Sequence, residues 1–230
     1  GVVLIACTMV IFLQMNFTRK KELGFDDWNI VYSFSPMTMN QRPDIPQKLE
    51  MFRNEMAALP GVNGFCVSSS VPGRPIHFSG FSVNHLSEGV ESEAFVERVN
   101  VDAYYFDLYG IGLLGGRGFR ENEDYNVNEV LLNRKAAEEL GFEEPSKALG
   151  QVIRSGENAW EVAGVVENYH HFSLKDKLLP MVFFKSLQWR AAVGYYSFGL
   201  DSENGETIQS IDEVWRRIYP GEQFIHSFMD

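Results

Sequence analysis

The sequence predicts an α+β protein in which two similar β-α-β units enclose a longer segment made mostly of β-strands. Two amphipathic helices carry apolar residues with the same spacing, and each helix ends at a Pro-Gly pair. Short runs rich in β-branched and aromatic residues stand on both sides of each helix. Between the two units, short candidate strands alternate with turns that contain Gly and Asn. The middle segment is therefore an insertion in a split scaffold.

The chain opens on an apolar run that differs from everything after it. Residues 2–13 read VVLIACTMVIFL, and a basic cluster follows at Arg19, Lys20 and Lys21. A run that is apolar on every side has no single face to pack on a core, and a bilayer requires about 20 such residues. We interpret residues 1–17 as the outer end of a truncated transmembrane helix. A signal sequence, which would carry its basic residues before the apolar run, and a buried core helix are the alternatives.

The first β-α-β unit follows the basic cluster. Residues 29–35 read NIVYSFS, which is typical of a strand. Asp44 is expected to cap a helix that ends at Pro60-Gly61, before a second strand at 62–69. One face of this helix carries the apolar residues Leu49, Phe52, Met56 and Leu59.

The second unit repeats the same order near the end of the sequence. A strand at 195–200 precedes a helix at 206–219, and a final strand is expected at 224–228. Such units usually pack side by side with their helices on one face of a shared sheet, and a chance likeness of two amphipathic helices is the alternative. The apolar face of the second helix carries Ile208, Ile211, Trp215 and Ile218.

The middle segment is predicted to be a mixed unit that is mostly β. Short helices are expected near 103–109 and 134–140, and polar loops at 84–93 and 121–128. The candidate strands are 78–83, 94–101, 129–133, 151–154 and 160–166.

Composition argues against a nucleic-acid-binding protein and against a disulfide-stabilised one. The formal net charge is −11, and an acidic surface repels phosphate backbones, so nucleic acid is not expected as a partner. The two cysteines, Cys7 and Cys66, form no disulfide framework and do not decide the compartment.

Glycines at 110, 112 and 115 spell the dinucleotide-binding pattern G-x-G-x-x-G. That motif must follow a strand and open a helix, so that the helix N-terminus faces the pyrophosphate. Here it follows a predicted helix, and the sequence carries no P-loop pattern. We therefore expect no cofactor and no ATPase activity in this chain.

Other polar motifs are weak signals of catalysis or metal binding. His170 and His171 are adjacent, so their side chains diverge, and no third ligand is placed nearby. Residues 68–70 are three serines without a nucleophile elbow, and Glu138 with Glu139 is expected on a solvated helix face. We assign no catalytic, cofactor-binding or metal-binding residue and leave the ligand-binding residues unknown. A hydrolase that uses His170 or His171 is the least favoured alternative.

Several motifs, taken in order along the chain, are shared with one family. Residues 101–106 read VDAYYF, residues 116–119 read GRGF, residues 130–133 read VLLN and residues 162–170 read VAGVVENYH. With these motifs, essentially the whole chain resembles the MacB-like periplasmic core domain of FtsX-like ABC transporter permeases. The resemblance implies a split porter-like subdomain of two β-α-β units, at 28–74 and 188–230, with a mixed, mostly β subdomain inserted at 75–187.

The resemblance also implies a function and a location. Such a domain is non-catalytic, lies on the periplasmic side of the inner membrane and follows the first membrane helix of a permease. It couples ATP hydrolysis in the cytoplasm to export, lipoprotein release or activation of a periplasmic partner. The implied partners are an ABC-type ATPase subunit or domain and a second permease copy. A membrane-tethered sensory or ligand-binding module is the alternative.

Overall fold

A computed structural model describes residues 7, 9, 23–25, 29–36, 44–74, 80–87, 90–120, 128–172, 175–185, 194–202 and 204–229. The predicted membrane segment, residues 1–17, lies outside these residues except for Cys7 and Met9. None of the helices in the described parts of the chain has both the length and the apolar character to cross a bilayer. The helices are α1 (Ile45–Ala58), α2 (Tyr105–Leu108), α3 (Arg134–Glu139), α4 (Pro145–Ala148) and α5 (Gly205–Ile218).

The strands of the described chain all belong to one mixed sheet, which confirms the predicted α+β class. The strands are β1 (Ile30–Phe34), β2 (Val62–Ser68), β3 (Phe81–Ser87), β4 (Val90–Val101), β5 (Leu113–Gly116), β6 (Glu129–Asn133), β7 (Val152–Ser155), β8 (Asn158–Val166), β9 (Met181–Lys185), β10 (Tyr195–Leu200) and β11 (His226–Phe228). Their order along the sheet is β11-β1-β10-β2-β4-β3-β7-β8-β6-β9, and β5 pairs with β8.

The two β-α-β units share one part of this sheet, which we call the helix-covered half. β1 pairs antiparallel with β10 and with β11, and β10 pairs antiparallel with β2. Helices α1 and α5 cover one face, where the ring of Phe52 meets that of Trp215 at 5.7 Å. The helix-covered core consists of the buried residues Val31, Leu49, Phe52, Met56, Phe65, Val67, Tyr196, Phe198, Leu200, Ile211, Val214, Trp215, Ile218 and Tyr219.

Both long helices follow the predicted apolar spacing. Each begins and ends within one residue of the expected range. The cap of α5 is Asn204, whose side chain accepts a hydrogen bond from the backbone N–H of Glu206 at 2.9 Å. Asp44 is the N-cap residue of α1, as predicted, but its side chain makes no capping hydrogen bond. Its carboxylate instead lies 3.1 Å from the ammonium group of Lys48, one turn along the helix.

Six strands of the middle segment pair in a closed cycle, β4-β3-β7-β8-β6-β9 and back to β4. We call this ring, with α3 and α4, the barrel half. Val130 and Leu132 of β6 face the inside of the ring, whereas Leu131 between them faces away. The barrel core consists of Val83, Ala94, Val96, Val130, Leu132, Ala136, Ala137, Leu140, Phe142, Ala148, Ile153, Val162, Val165, Val182 and Phe184.

Some boundaries in the middle segment differ from the prediction. The predicted polar loop at 84–93 is wrong, because residues 84–87 and 90–93 form the paired ends of β3 and β4, with Asn84 opposite Glu93. Asn84 and Glu93 lie on the outer face of the hairpin, while Val83 and Ala94 point into the barrel core. On that inner side the buried His85 packs on the ring of Phe142 with centroids 4.4 Å apart. The sequence pattern predicts neither β5 nor β9, and β11 is shorter than the predicted 224–228. Residues 75–79 and 121–127 lie outside the described chain.

Candidate functional site: the junction between the halves

A third cluster of buried side chains lies between the helix-covered half and the barrel half. It takes residues from β1, β2 and β10 on one side, and from β4, β6, β8 and β9 on the other. Helix α2 and the segment 23–25 complete it. This junction core consists of Phe25, Ile30, Tyr32, Cys66, Val71, Val99, Val101, Tyr105, Phe106, Tyr109, Ile111, Phe119, Leu131, Val166, Tyr169, Met181, Phe183 and Tyr195.

Tyrosine hydroxyls link α2 to both halves. The hydroxyl of Tyr105 lies 3.2 Å from that of Tyr169, which follows β8. The hydroxyl of Tyr109 donates to Ser197 Oγ of β10 at 2.8 Å. Burial raises the pKa of Tyr105 and of Tyr109 well above the ordinary value, so both hydroxyls stay protonated. They act as hydrogen-bonding links between the halves, and not as acids.

The segment 23–25 docks on the same tyrosines. The backbone N–H of His170 donates to the carbonyl of Leu23 at 2.8 Å. The ring of Phe25 meets Tyr109 and Tyr169 edge to face, with centroids 6.5 and 6.0 Å apart. Gly24 has φ +81°, and a Cβ there would lie 2.4 Å from the carbonyl oxygen of the residue before Tyr169. A glycine is therefore required for this close approach.

An ion pair joins α1 to the end of β4. Arg53 Nη2 lies 2.8 Å from Asp102 Oδ2, and the same carboxylate accepts from the backbone N–H groups of Val67 and Tyr104 at 2.8 and 3.1 Å. The guanidinium also stacks over the Tyr104 ring at 4.6 Å. Burial raises the pKa of Asp102, and the charge of Arg53 and the backbone donors oppose that rise. The pair therefore depends on its hydrogen bonds as well as on charge.

Strands β2 and β4 meet along a short seam. Among the described residues, Ser68 opposite Val101 is the only pair of residues in register between these strands. Beside it, the backbone N–H of Ser69 donates to the carbonyl of Asn100 at 2.8 Å, and the N–H of Asn100 donates to Ser69 Oγ at 2.9 Å. The three serines that follow one another at this strand end therefore serve the contact between the halves.

The histidine and serine motifs come together in a buried contact. His171 Nε2 lies 3.2 Å from Ser70 Oγ and 2.6 Å from the carbonyl of Arg74. Because a carbonyl only accepts, Nε2 carries the proton and cannot take one from Ser70. Both side chains are buried, and burial lowers the pKa of His171 to about 4. This geometry fastens the turn after β2 to the segment after β8, and it does not form a catalytic dyad.

The glycine pattern and the glutamate pair noted in the sequence lie where neither forms a binding site. Gly110 follows α2 with φ +60°, and Gly115 lies in β5. This pattern runs from a helix into a strand, the reverse of a dinucleotide site. Glu138 and Glu139 are exposed on α3. Within the described chain, no group of three or more His, Cys, Asp or Glu residues could hold a metal ion.

Sequence reasoning missed the ion pair and the docked segment. Arg53 lies four residues after Leu49 on the apolar face of α1, and a charge on such a face requires a partner. The position of Arg53 on an apolar face therefore indicates a buried partner from the sequence alone. The docking of Phe25 had none, because its partners Tyr109 and Tyr169 lie far away in the sequence.

A cleft of about 310 Å³ opens beside the ion pair. The guanidinium on its wall is bound by Asp102, so its charge is already matched within the chain. The cleft is lined by Arg53, Met56, Ala57, Val62, Asn63, Gly64, Phe65 and Tyr104.

Comparison with known proteins identifies the family. The chain is similar over 90% of its length to the periplasmic region of MacB from Actinobacillus actinomycetemcomitans, with 14% identity, a TM-score of 0.56 and 91% of that chain covered. It is similar over 87% of its length to the extracellular domain of the noncanonic ABC-type transporter YknZ from Gram-positive bacteria, with 17% identity, a TM-score of 0.51 and 99% of that chain covered.

A domain of a protein described as a permease, from Porphyromonas gingivalis, is also similar, with 15% identity and a TM-score of 0.55. That likeness covers 90% of this chain and 93% of the other. None of the curated proteins matches the sequence. The profile of the MacB-like periplasmic core domain matches residues 1–214. The predicted resemblance is thus confirmed, and the chain belongs to the family of MacB-like periplasmic core domains, which are extracytoplasmic parts of ABC transporter permeases.

Proposed function

We propose that this domain transmits motion, with no catalysis of its own, from the membrane part of a permease to partners outside the cytoplasm. In this proposal an ABC-type ATPase subunit or domain hydrolyses ATP in the cytoplasm, and the helix at residues 1–17 moves in response. The domain lies on the periplasmic side of the inner membrane. There it drives export, lipoprotein release or the activation of a partner, together with a second permease copy.

The junction core is the observation that supports this proposal. It packs the segment 23–25 against side chains from both halves in one continuous buried cluster. Protein interiors are close-packed, so a displacement at one side of such a cluster is passed on to its neighbours. We propose that the parts that move relative to each other are residues 75–187 and the porter-like part formed by 28–74 with 188–230. The short seam between β2 and β4 favours that division.

The test of this proposal is hydrogen exchange in the intact permease with its ATPase, reconstituted in lipid nanodiscs. Exchange is compared with and without a non-hydrolysable ATP analogue. We expect nucleotide to change the protection of α2 and of the strand ends that border the junction core. Identical exchange throughout residues 44–229 in both states would overturn the proposal. An ATPase that cannot bind nucleotide is the control.

A non-catalytic role also predicts tolerance of polar substitutions. Replacing Glu138 with Gln removes an exposed carboxylate without altering a core, so nucleotide-driven transport should continue. A loss of transport in a variant that still folds and assembles would contradict this role.

The cleft beside Arg53 favours a second candidate, a membrane-tethered ligand-binding module. Its volume of about 310 Å³ lies at the lower end of the usual range for small-molecule sites. A small molecule that raises the melting temperature of the isolated chain in a saturable way would favour this function. Loss of that effect in Asn63→Leu would locate the ligand in the cleft.

A further inference from the structure

We infer that motion of the membrane helix enters the domain through Leu23–Phe25 and is distributed by residues 168–171, with Phe25 as the positioning residue. This inference rests on the proposed function and deepens it. It assigns a role to the motif Asn168-Tyr169-His170-His171, which we call the hub.

Each residue of the hub contacts a different element. Asn168 Oδ1 accepts from the backbone N–H of Lys135 in α3 at 2.8 Å, and the Tyr169 hydroxyl lies 3.2 Å from that of Tyr105 in α2. The other two hub residues bind the segment 23–25 and the turn after β2. The N–H of His170 donates to the carbonyl of Leu23 at 2.8 Å, and the carbonyl of His171 accepts from the N–H of Gly73 at 2.6 Å. One short segment thus joins four parts of the domain.

The segment 23–25 is built to stay on the hub. Phe25 is only 4% exposed, and its ring packs against Tyr109 and Tyr169. Gly24 allows the backbone to approach so closely that any side chain there would meet Asn168 and Tyr169. The close backbone approach at Gly24, the ring contacts of Phe25 and the hydrogen bond from His170 to Leu23 therefore all hold this segment on the hub.

This docking defines the order in which the halves receive motion. Although residues 23–25 precede β1 in the sequence, their hydrogen bond is to His170, which follows β8 of the barrel half. The helix-covered half is reached through an intermediate residue: through Tyr109 and its hydrogen bond to Ser197, and through His171 and the turn after β2. If motion passed straight along the chain into β1, the docking of Phe25 would be dispensable. The two routes make opposite predictions for a Phe25 variant.

The experiment compares Phe25→Ala with Phe119→Ala in the intact permease and ATPase described above. Phe119 is a matched control, because it is buried in the same junction core. The readout is the nucleotide-dependent change in hydrogen exchange at residues 166–172 and 104–111. We expect Phe25→Ala to abolish this change and Phe119→Ala to retain it. Basal exchange without nucleotide reports any general loosening, which a merely structural role would cause in both variants.

Two further variants keep the test decisive if Phe25→Ala fails to fold. Phe25→Leu preserves apolar volume but removes the ring contacts, and Gly24→Ala places a Cβ 2.4 Å from the Asn168 carbonyl oxygen. Both should reduce the nucleotide-dependent change at the hub. If the wild type responds to nucleotide and all Phe25 and Gly24 variants respond equally, the inference is wrong and the proposed function stands. If the wild type shows no response at all, the proposed function itself fails.

Discussion

The helix-covered core and the junction core differ in what holds them together. The helix-covered core consists largely of aromatic rings. The centroid of the Phe52 ring, for example, lies 5.4 to 6.1 Å from those of Phe65, Phe198 and Trp215. The junction core is equally well buried, but hydrogen bonds run through it, as between Tyr109 and Ser197. The helix-covered half is thus stabilised mainly by ring packing, with a long hydroxyl contact of 3.4 Å between Tyr196 and Tyr219. The contact between the halves combines ring packing with shorter polar bonds.

The difference bears on what each region can do. Apolar packing is non-directional and resists any change of volume, so we expect the helix-covered half to move as one body. Buried hydrogen bonds instead specify one arrangement, because a displaced partner leaves a polar group unsatisfied. A contact between moving parts benefits from such bonds, since they define the positions between which the parts switch.

The largest effect is expected in the apolar core. Phe52→Ala removes a fully buried ring and should lower the free energy of unfolding by about 3–5 kcal/mol, because it creates a cavity. Chemical denaturation measures the loss. Met51→Ala, at the exposed neighbour on the same helix, should change stability little. A loss below that of the polar variants would refute the contrast between the cores.

The next effect is expected at the ion pair. Asp102→Ala leaves Arg53 and two backbone N–H groups without their acceptor. The side chains of Arg53 and Asp102 are 19% and 14% exposed, and removal of one partner of such a largely buried pair costs about 3 kcal/mol. The matched control is Asp212→Ala, which removes an i,i+4 pair with the exposed Arg216 and should cost no more than about 0.5 kcal/mol. Equal losses in the two variants would contradict the role of Asp102.

A pH-dependent effect of similar size is expected from His171. Its pKa is lowered by burial from 6.5 to about 4, so the unfolded chain binds the proton more tightly than the folded one. Stability that is present above pH 6.5 is therefore lost as the pH falls toward 4, by at most about 3 kcal/mol.

Denaturation curves between pH 7 and 4 measure this loss, and His171→Gln should remove its share of the acid sensitivity. His226→Gln is the control, because His226 lies exposed on β11. Identical acid sensitivity in the wild type and His171→Gln would mean that protonation of His171 is not coupled to unfolding.

The smallest effect is expected at a single hydroxyl of the junction. Tyr109→Phe removes the donor to Ser197 Oγ and should cost about 1 kcal/mol. A double-mutant cycle isolates the bond: Ser197→Ala should cost less in the Tyr109→Phe background than in the wild type. Strict additivity would show that the two hydroxyls contribute independently.

The sequence predicts the helix-covered half well because its signals are local. The apolar spacing predicts that Leu49, Phe52 and Met56 share one face of α1, and all three side chains are buried. The barrel half was harder, since β9 reads MVFFK with no alternation. Such a run is buried on both faces, with Val182 in one core and Phe183 in the other, and periodicity alone does not distinguish it from a buried helix.

The junction was the least predictable part. Its contacts join residues that are far apart in the sequence, such as Arg53 with Asp102 and Ser70 with His171. The motif at His170 and His171 attracted attention as possible chemistry, although both residues hold segments together. No local pattern distinguishes a histidine that fastens a turn from one that binds a metal, because the difference lies in the partner.

The split of the scaffold also sets the order in which the chain can fold. The strand pairings of the barrel half all lie between residues 81 and 185. Strand β1 can pair only after β10 has been synthesised, because Ile30 lies opposite Gly199. Chains emerge from the ribosome N-terminus first, so the barrel half can close while α1 still exposes the face of Phe52. A chain truncated before residue 195 would carry a finished barrel beside an orphaned β1-α1-β2 unit. Its uncovered apolar face is the kind of surface through which unfinished chains aggregate.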